Sequence, residues 1–291
     1  MKYVVTGGAG FIGSNLVREL QRRSHEVIVI DNLSTGSRDN VPEGISLLTE
    51  TYVRSLLSVF PCDGVFHLGI PSSTSLYEED KGLVPQSLAD FSLLLGYATY
   101  YKVKVVYAST SNLYRGNGLP WREGMTVFPT SLYTEARYFI ERLADIYKDL
   151  YGTKGIGLRL FSVYGLGEEA KGRLANLISQ MVWARQKNEE FLVYGNGLTT
   201  RDSIFVSDVV RAFILAMEGT VDYGIYNVGT GRHKSVRELA ELIGTKLVFG
   251  PNPMKNYTHH QLADTRVAER LLGFESRISV EEGIKCLLNL Q

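Results

Sequence analysis

A glycine-rich segment near the N-terminus constrains the fold of this 291-residue chain more than any other feature: "VVTGGAGFIGSNLV". It follows a β-branched run and opens a helical pattern, and Gly7, Gly10 and Gly13 are spaced as G-x-x-G-x-x-G. A tight turn from strand to helix needs a residue that tolerates positive φ, and close approach of a pyrophosphate needs one without Cβ. The helix start, at Phe11 and Ile12, offers free N–H donors. The segment therefore predicts a dinucleotide site; the alternative is a glycine-rich turn without a ligand.

An aspartate follows the second β-branched run, "EVIVI". Asp31 lies where a carboxylate would accept hydrogen bonds from the adenosine ribose hydroxyls and would repel a 2′-phosphate, so NAD is favoured over NADP. Asn32 and Ser34 follow in the same loop and are assigned to the cofactor site. An unrelated surface aspartate is the alternative.

The first half of the chain alternates short apolar runs with longer helical patterns. The strand-like runs are "KYVVT", "EVIVI", "GVFHLG", "VKVVYAS" and "GIGLRLF". Strand–helix alternation predicts a parallel sheet with helices on both faces, and continuous apolar character is typical of strands buried on both sides. We predict an α/β fold with a doubly wound parallel sheet, a Rossmann fold.

The regular alternation of strands and helices ends after Phe161, where helical stretches are interleaved with short strands. We expect residues 1–161 to form an NAD-binding Rossmann domain. Residues 162–291 are expected to form a smaller α/β substrate-binding lobe, with some segments returning to the Rossmann sheet. Two capping boxes predict helix starts in this lobe: Ser235 with Glu238, and Ser279 with Glu282.

Composition and charge exclude several classes of protein. Lys and Arg number 31 and so do Asp and Glu, so no net field points to nucleic acid or to an anionic membrane. Cys62 and Cys286 lie far apart in no metal or redox spacing, which fits a reducing cytoplasm. Neither a signal peptide nor a membrane-spanning run is predicted. The adjacent His259 and His260 lack a carboxylate cluster, so no metal site is predicted.

Further motifs occur along nearly the whole chain in a fixed order: "DNLSTG", "VFHLG", "VVYASTSNLY", Y-x-x-x-R, "LRLFSVYG", "VYGNGLTTRDSIFVSDVV", "YNVGTG" and "ADTRVAERLLGF". With the glycine segment, they make the chain resemble the extended short-chain dehydrogenase/reductase superfamily, and most closely its UDP-galactose 4-epimerase-like branch. The resemblance implies an NAD-dependent 4-epimerase of a nucleotide sugar. It adds Leu68, Gly69 and Phe161 to the cofactor site.

The resemblance also implies the catalytic residues. Tyr133 takes the place of the family's base, which removes a proton from a sugar hydroxyl, and Thr110 that of the bridging hydroxyl. A tyrosine in water has a pKa near 10, so this base needs a cation to favour phenolate. The family places lysine one helical turn after the tyrosine, and here the residue is Arg137. We expect Arg137 to replace the lysine imperfectly; the alternative is an ordinary Tyr–Arg pair on an exposed helix.

The two residues after Thr110 bear on the reaction type. Related dehydratases carry Asp-Glu there and related decarboxylases carry Glu at the second position. This chain has Ser111 and Asn112, and neither side chain can act as an acid or base. The pattern therefore favours epimerisation over elimination.

Four residues are assigned to the substrate by the same resemblance. Arg201 would bind the diphosphate, and the alternative is a surface Arg201–Asp202 pair. Tyr194 would stack near the uracil, or else be a buried sheet aromatic. Ser162 replaces the family's phosphate-binding Asn, and Lys255 is the cation near the usual Arg-x-Gly-Asp position.

The helical stretches 87–101 and 131–151 match the family's dimer helices, so we predict a cytoplasmic homodimer. Two alternatives to a 4-epimerase stay open: a nucleotide-sugar reductase or dehydrogenase of the same fold, and a catalytically idle protein that binds NAD or a nucleotide sugar.

Overall fold

Seven strands of the described chain form one parallel sheet. The computed structural model describes residues 1–49, 52–252 and 258–289. Its strands are β1 (Lys2–Thr6), β2 (Glu26–Ile30), β3 (Ser46–Leu48), β4 (Gly64–His67), β5 (Lys104–Thr110), β6 (Gly155–Leu160), β7 (Ser162–Tyr164), β8 (Phe191–Tyr194), β9 (Thr200–Arg201), β10 (Ser203–Phe205), β11 (Tyr223–Val228), β12 (Lys234–Ser235) and β13 (Leu247–Gly250). The central sheet has the order β11–β6–β5–β4–β1–β2–β3.

Helices follow most strands. They are α1 (Phe11–Arg22), α2 (Tyr52–Val59), α3 (Thr74–Glu79), α4 (Leu83–Tyr101), α5 (Leu132–Tyr151), α6 (Leu177–Gln186), α7 (Val206–Glu218), α8 (Val236–Ile243), α9 (Arg266–Leu272) and α10 (Val280–Leu288). Short 3₁₀ segments span Arg38–Asn40, Ser111–Tyr114 and Glu169–Leu174. None of the helices in these ranges combines the length and apolar character that a membrane span requires.

Two apolar layers cover the sheet. One contains Val5 of β1 with residues of α1, α7 and α9. The other contains Val4 with residues of α2, α4 and α5. Adjacent residues of β1 thus face opposite layers, as the two-residue period of a strand requires. The predicted doubly wound Rossmann sheet is confirmed.

The second half of the chain contributes to both parts of the molecule. Helices α6, α8 and α10 pack around a third apolar cluster that includes Met181 and Leu239. Small two-stranded sheets, β8–β13 and β9–β12, lie in this part of the chain. Helix α7 and strand β11 instead return to the central sheet, where β11 pairs with β6. Both predicted capping boxes are present, at the starts of α8 and α10.

The strand order reverses direction between β1 and β4, because β2 and β3 lie on one side and β5, β6 and β11 on the other. Open parallel sheets bind ligands outside the carboxyl ends of their strands at such a switch point. The topology therefore places a crevice at Gly7 and Gly69, directly after β1 and β4.

Candidate active site

The glycine loop meets the end of β4 too closely for side chains. Gly7 has φ +71°, and a Cβ there would lie 2.6 Å from Gly69 N. A Cβ on Gly13 would lie 2.1 Å from Gly7 O, inside the turn itself. Gly10 caps α1 without a side-chain hydrogen bond, so the first-turn N–H groups of the helix stay available to an anion.

Asp31 ties the end of β2 to this loop. Its Oδ2 accepts from Ala9 N at 2.9 Å and its Oδ1 accepts from Leu33 N at 2.8 Å. Each carboxylate oxygen has a second lone-pair direction, so Asp31 can still accept hydrogen bonds from ribose hydroxyls. Asn32 closes the next turn by accepting from Ser34 N at 3.1 Å.

One cavity of about 920 Å³ runs along this edge of the sheet. Its volume lies at the upper end of the range usual for small-molecule sites. Most residues predicted for the site line it: Gly7, Gly10, Phe11, Ile12, Gly13, Asp31, Asn32, Ser34, Leu68, Gly69, Thr110, Tyr133, Arg137, Phe161, Ser162 and Arg201. The structure thus brings together residues that are up to 194 positions apart in the chain, from Gly7 to Arg201.

Tyr133 lies in the first turn of α5, which Ser131 begins with a capping box. The residue is 8% exposed, and its ring packs against Tyr77 with 5.9 Å between centroids. Within residues 1–49, 52–252 and 258–289 its hydroxyl makes no hydrogen bond, so the phenol is available to a ligand in the cavity.

Arg137 is buried, one turn after Tyr133, and its Cζ lies 5.4 Å from the centroid of the Tyr133 ring. Its guanidinium donates to three main-chain carbonyls, of Ala108 (2.8 Å), Ile70 (3.2 Å) and Pro71 (3.1 Å). The alternative of an exposed Tyr–Arg pair is wrong. Arg137 both brings a positive charge to the tyrosine and holds the ends of β4 and β5 to α5.

Thr110 ends β5 and is 4% exposed. Its Oγ1 accepts from Asn112 N at 3.2 Å, which caps the following 3₁₀ turn. The hydroxyl proton of Thr110 is not used in that contact. Thr110 can therefore donate to a group in the cavity while its oxygen keeps the turn in place.

A buried network fixes α5 against the strands beneath it. Glu141, one turn beyond Arg137, accepts from Ser109 Oγ at 2.5 Å and from Arg159 Nη2 at 2.6 Å. Glu141 and Arg159 are 2% and 4% exposed. Since Ser109 precedes Thr110, this ion pair sets the register between the strand that carries Thr110 and the helix that carries Tyr133.

His67 lies below the cavity as a neutral ring. Its Nδ1 is 2.7 Å from Thr6 Oγ1, and the ring stacks on Phe91. Burial, and next the charge of Arg137, lowers the pKa of His67 to about 3. The interpretation of His67 as a core histidine beside the site is confirmed.

The structure excludes one of the two interpretations of Arg201. Asp202 is fully buried and accepts from Thr230 N, Gly231 N and Ala263 N at 2.7–3.0 Å. The Arg201 guanidinium instead donates to Thr200 O and His259 O and lines the cavity. The alternative of a surface Arg201–Asp202 pair is therefore wrong.

Tyr194 is not brought to the cavity. It is 38% exposed on β8, whose alternation turns Val193 inward and Tyr194 toward solvent. The interpretation of Tyr194 as a buried sheet aromatic is wrong, and stacking of Tyr194 near the uracil stays a prediction. Lys255 lies outside the described residues. Ser162 lines the cavity, and its Oγ accepts from Asn176 Nδ2 at 3.0 Å.

Lys171 and Gln261 are among the polar residues of the cavity that the sequence did not predict. Lys171 lies with its Nζ 5.4 Å from the Phe11 ring centroid and 2.9 Å from Glu168 Oε1, so it brings a cation to the glycine loop. Gln261 reaches the cavity from near the C-terminus. No sequence motif predicted that either residue lies in the cavity, because the position of each depends on a tertiary contact.

The sequence model of the NAD dependent epimerase/dehydratase family matches residues 3–229. The chain belongs to that family. Its sequence is 31% identical to a putative UDP-glucose 4-epimerase of Methanocaldococcus jannaschii, over 98% of this chain and 97% of the relative. It is 32% identical to a UDP-N-acetyl-alpha-D-glucosaminuronate decarboxylase of Bacillus cytotoxicus, over 97% and 95%.

Solved structures of family members agree with the fold. A UDP-glucose 4-epimerase of Thermotoga maritima, with UDP-glucose, has a TM-score of 0.92 at 31% identity, covering 99% of this chain and 98% of the other. A UDP-glucose 4-epimerase of Thermus thermophilus in complex with NAD has a TM-score of 0.87 at 29% identity, covering 99% and 98%.

The cofactor expectation is confirmed: NAD is the cofactor of this family. The residues present fit it, because side chains at Gly7 and Gly13 would fill the loop, the α1 N-terminus is open, and Asp31 faces the same cavity. In the part of the chain that the structure describes, no cluster of His, Cys, Asp and Glu could hold a metal ion.

Proposed function

We propose that this family member interconverts the C4 epimers of a nucleotide hexose, UDP-glucose and UDP-galactose or their N-acetylated analogues. One observation carries the proposal: the Tyr133 phenol faces the cavity of the glycine loop and of Thr110, while positions 111 and 112 carry Ser and Asn. Bound NAD supplies a hydride acceptor and donor for the sugar carbon.

Tyr133 removes the proton of the 4-hydroxyl as the C4 hydride leaves, which makes a 4-keto sugar. Thr110 bridges the phenol and the sugar oxygen. The Arg137 guanidinium lies over the Tyr133 ring, so a positive charge is held beside the phenol that transfers the proton. After the sugar has turned its other face, Tyr133 returns the proton to the oxygen and the C4 hydrogen returns from the opposite side.

Arg201 and Lys171 supply the positive charge that a nucleotide diphosphate requires. Both line the cavity, at its substrate side and its glycine-loop side respectively. We assign the substrate diphosphate to Arg201, since its planar fork matches phosphate oxygens. We infer a cytoplasmic homodimer as the working form.

The relatives include decarboxylases, so epimerisation has to be distinguished from decarboxylation by the residues of the site. Elimination and decarboxylation in the resembling enzymes use carboxylates after the Thr110 position. Asn112 cannot transfer a proton in that role, and Gln261 Nε2 donates to its Oδ1 at 3.0 Å. This contact favours a binding role for position 112, and therefore epimerisation.

The test is a panel of nucleotide sugars incubated with the protein and analysed by NMR. UDP-glucose, UDP-galactose, UDP-N-acetylglucosamine and UDP-glucuronate form the panel, with absorbance at the nicotinamide band recorded in parallel. We expect C4 epimerisation of at least one neutral sugar without net absorbance change. A stoichiometric absorbance change would identify a reductase or dehydrogenase, and no conversion of any sugar would identify an idle binding protein.

Two tyrosine variants test whether the activity depends on the Tyr133 hydroxyl. Tyr133→Phe removes the acid–base group and is expected to lower kcat by a factor of about 10² to 10⁴. Tyr77→Phe removes a neighbouring phenol that binds Ser87 Oγ at 3.2 Å, and it should leave kcat within about threefold. Equal effects of the two changes would contradict the role of Tyr133.

A further inference from the structure

A second cavity lies between helices α1 and α7 and the segment that precedes α10. Its volume is about 430 Å³, within the range usual for small-molecule sites. None of the described residues lines both this cavity and the active site. Helices α1 and α7 cover the sheet face opposite α4 and α5, so the predicted homodimer leaves the cavity open. We call it the arginine groove, because five arginines line it: Arg18, Arg22, Arg23, Arg211 and Arg277.

The carboxylates of the arginine groove already have partners. Among the described residues, Glu19 and Asp208 line it. Glu19 accepts from Arg22 Nε at 2.7 Å and from Arg23 Nε at 2.8 Å. Asp208 is 2% exposed and accepts from Arg211 Nη2 at 2.9 Å and from two main-chain N–H groups at 2.8 and 2.9 Å. Two carboxylates against five guanidinium groups leave an excess of three positive charges in this part of the described chain.

Two guanidinium groups of the arginine groove have no acidic partner. Arg277 is exposed, and within residues 1–49, 52–252 and 258–289 its side chain makes no hydrogen bond or ion pair. Arg18 is also exposed, and in the same ranges it donates to neutral oxygens, Asn40 O at 2.9 Å and Ser14 Oγ at 3.4 Å. A concave site that is lined by uncompensated charges of one sign raises the local concentration of ligands of the opposite sign.

The lining of the arginine groove indicates the chemistry of its ligand. Guanidinium groups donate in a fixed fork that matches phosphate oxygens, often through two parallel hydrogen bonds. Three excess positive charges within one small cavity favour a ligand with several negative charges over a ligand with one. Val210, Ile214 and Ile278 add an apolar wall, against which an organic group can pack.

We propose that the arginine groove binds a small molecule that carries a chain of phosphate groups, at a site separate from the active site. The phosphates contact Arg18 of α1 and Arg277 of the segment before α10, so the ligand joins these two elements. This inference does not depend on the proposed function, because it involves neither the sugar nor the proton transfer.

The test is isothermal titration calorimetry of the full chain with saturating NAD, at low salt and without divalent cations. Inorganic triphosphate and ATP are the probes. We expect the wild type to bind triphosphate at one site with a Kd below about 1 mM. Tighter binding of ATP would support a nucleoside polyphosphate on the apolar wall, and equal binding would support recognition of the phosphate chain alone.

Two exposed arginines provide the groove variants. Arg277→Gln removes a charge that has no other partner in the described chain, and it should weaken triphosphate binding about tenfold, the effect of one lost charge-assisted hydrogen bond. Arg18→Gln should weaken it to a similar extent from the other element. Unchanged affinity in both variants would overturn the proposal.

Arg270→Gln is the matched control, because Arg270 is an exposed arginine on α9 that does not line the arginine groove. It should bind triphosphate as the wild type does, and so should Arg201→Gln, which changes the active site. Equal weakening by Arg270→Gln would show non-specific attraction, and loss of binding in Arg201→Gln would place the anion in the active site. Either result, or a wild type that binds neither probe, would overturn the proposal.

Discussion

At the scale of the residue, Arg137 has a different set of contacts from the one its position in the motif predicts. A lysine helper would present one ammonium group to the tyrosine. Arg137 instead places its guanidinium among the carbonyls of Ala108, Ile70 and Pro71 and lies over the Tyr133 ring. Guanidinium suits this arrangement because its planar fork donates in several fixed directions, whereas ammonium does not.

Arg137→Lys is therefore expected to impair the protein. The shorter cation leaves buried carbonyls without donors, and we expect a loss of about 2–4 kcal/mol in the free energy of unfolding. Turnover should fall as well, since the ends of β4 and β5 lose their tie to α5. Urea denaturation and a kcat measurement check the two effects. A gain in kcat would show that the arginine is a defective substitute and that the site is not built around it.

His67 gives the protein a defined sensitivity to acid. Its pKa of about 3 in the folded state lies below the ordinary value of 6.5, so the unfolded state takes up the proton first as pH falls. The free energy of unfolding should therefore decrease between pH 6.5 and pH 3, by up to about 1.4 kcal/mol per pH unit. Above pH 6.5 this contribution is fully present.

The His67→Asn variant isolates that contribution. Asparagine keeps a polar atom for Thr6 and does not titrate, so its unfolding free energy should fall less steeply between pH 6 and pH 4. Denaturation curves at several pH values measure the slope, with His260→Asn as an exposed control. Identical slopes for wild type and His67→Asn would contradict the account.

At the scale of the element, the registry between α5 and β5 depends on one buried ion pair. Glu141 binds both Ser109 and Arg159, and every partner lies on an element that lines or supports the site. A buried pair of this kind contributes little net stability, but removing one member leaves an uncompensated charge.

Glu141→Gln tests this element-level coupling. The change leaves Arg159 buried without its counter-charge, and we expect about 3–5 kcal/mol lower stability together with reduced kcat. Asp149→Asn changes an exposed carboxylate, 70% exposed, on the same helix and should change neither quantity measurably. A Glu141→Gln protein with wild-type stability and kcat would show that the pair does not position the site.

The sequence predicted elements well where local signals coincide. Strands β1 and β2 have the predicted bounds, because apolar patterns and glycine or polar flanks agree there. Helix α6 begins at Leu177, where Asn176 supplies the cap, because a 3₁₀ segment precedes it. Strands β3 and β7 and helix α3 were not predicted, because each is short and depends on its neighbours.

The residues of the candidate site, like the elements, were predictable only where the signal is local in the sequence. The glycine loop and Asp31 belong to one strand–helix–strand unit, β1–α1–β2, so the local sequence was sufficient. Gln261 approaches Asn112 across 149 positions of the chain, which no local pattern could indicate. The exposure of Tyr194 was not predicted either, because a motif position does not show which way a strand residue faces.

At the scale of the whole molecule, apolar side chains remain exposed on the outer faces of α4 and α5. They are Tyr100, Tyr101, Phe139, Ile146, Leu150 and Tyr151, with Tyr100 80% exposed. Phe139, Ile146 and Leu150 are spaced by seven and four residues, so they share one face of α5. Several exposed apolar side chains on one surface mark an interaction site, and their place on these two helices fits the predicted homodimer.

Ile146→Glu is expected to dissociate the predicted homodimer into monomers. A charge in the centre of an apolar interface is left without compensation, so dissociation should occur at micromolar concentration. Analytical ultracentrifugation checks the mass, with Leu271→Glu on α9, outside this surface, as the control. A wild-type protein that sediments with the mass of one chain would contradict the predicted homodimer.

The central claim is that one sugar carbon gives up its hydrogen and receives it back within a single cavity, with Tyr133 moving the proton. UDP-glucose labelled with deuterium at C4 tests it most directly. Incubated with the protein in ordinary water and analysed by NMR, it should yield UDP-galactose that keeps the deuterium at C4. Product that carries protium there, or deuterium appearing in added NAD, would contradict the account.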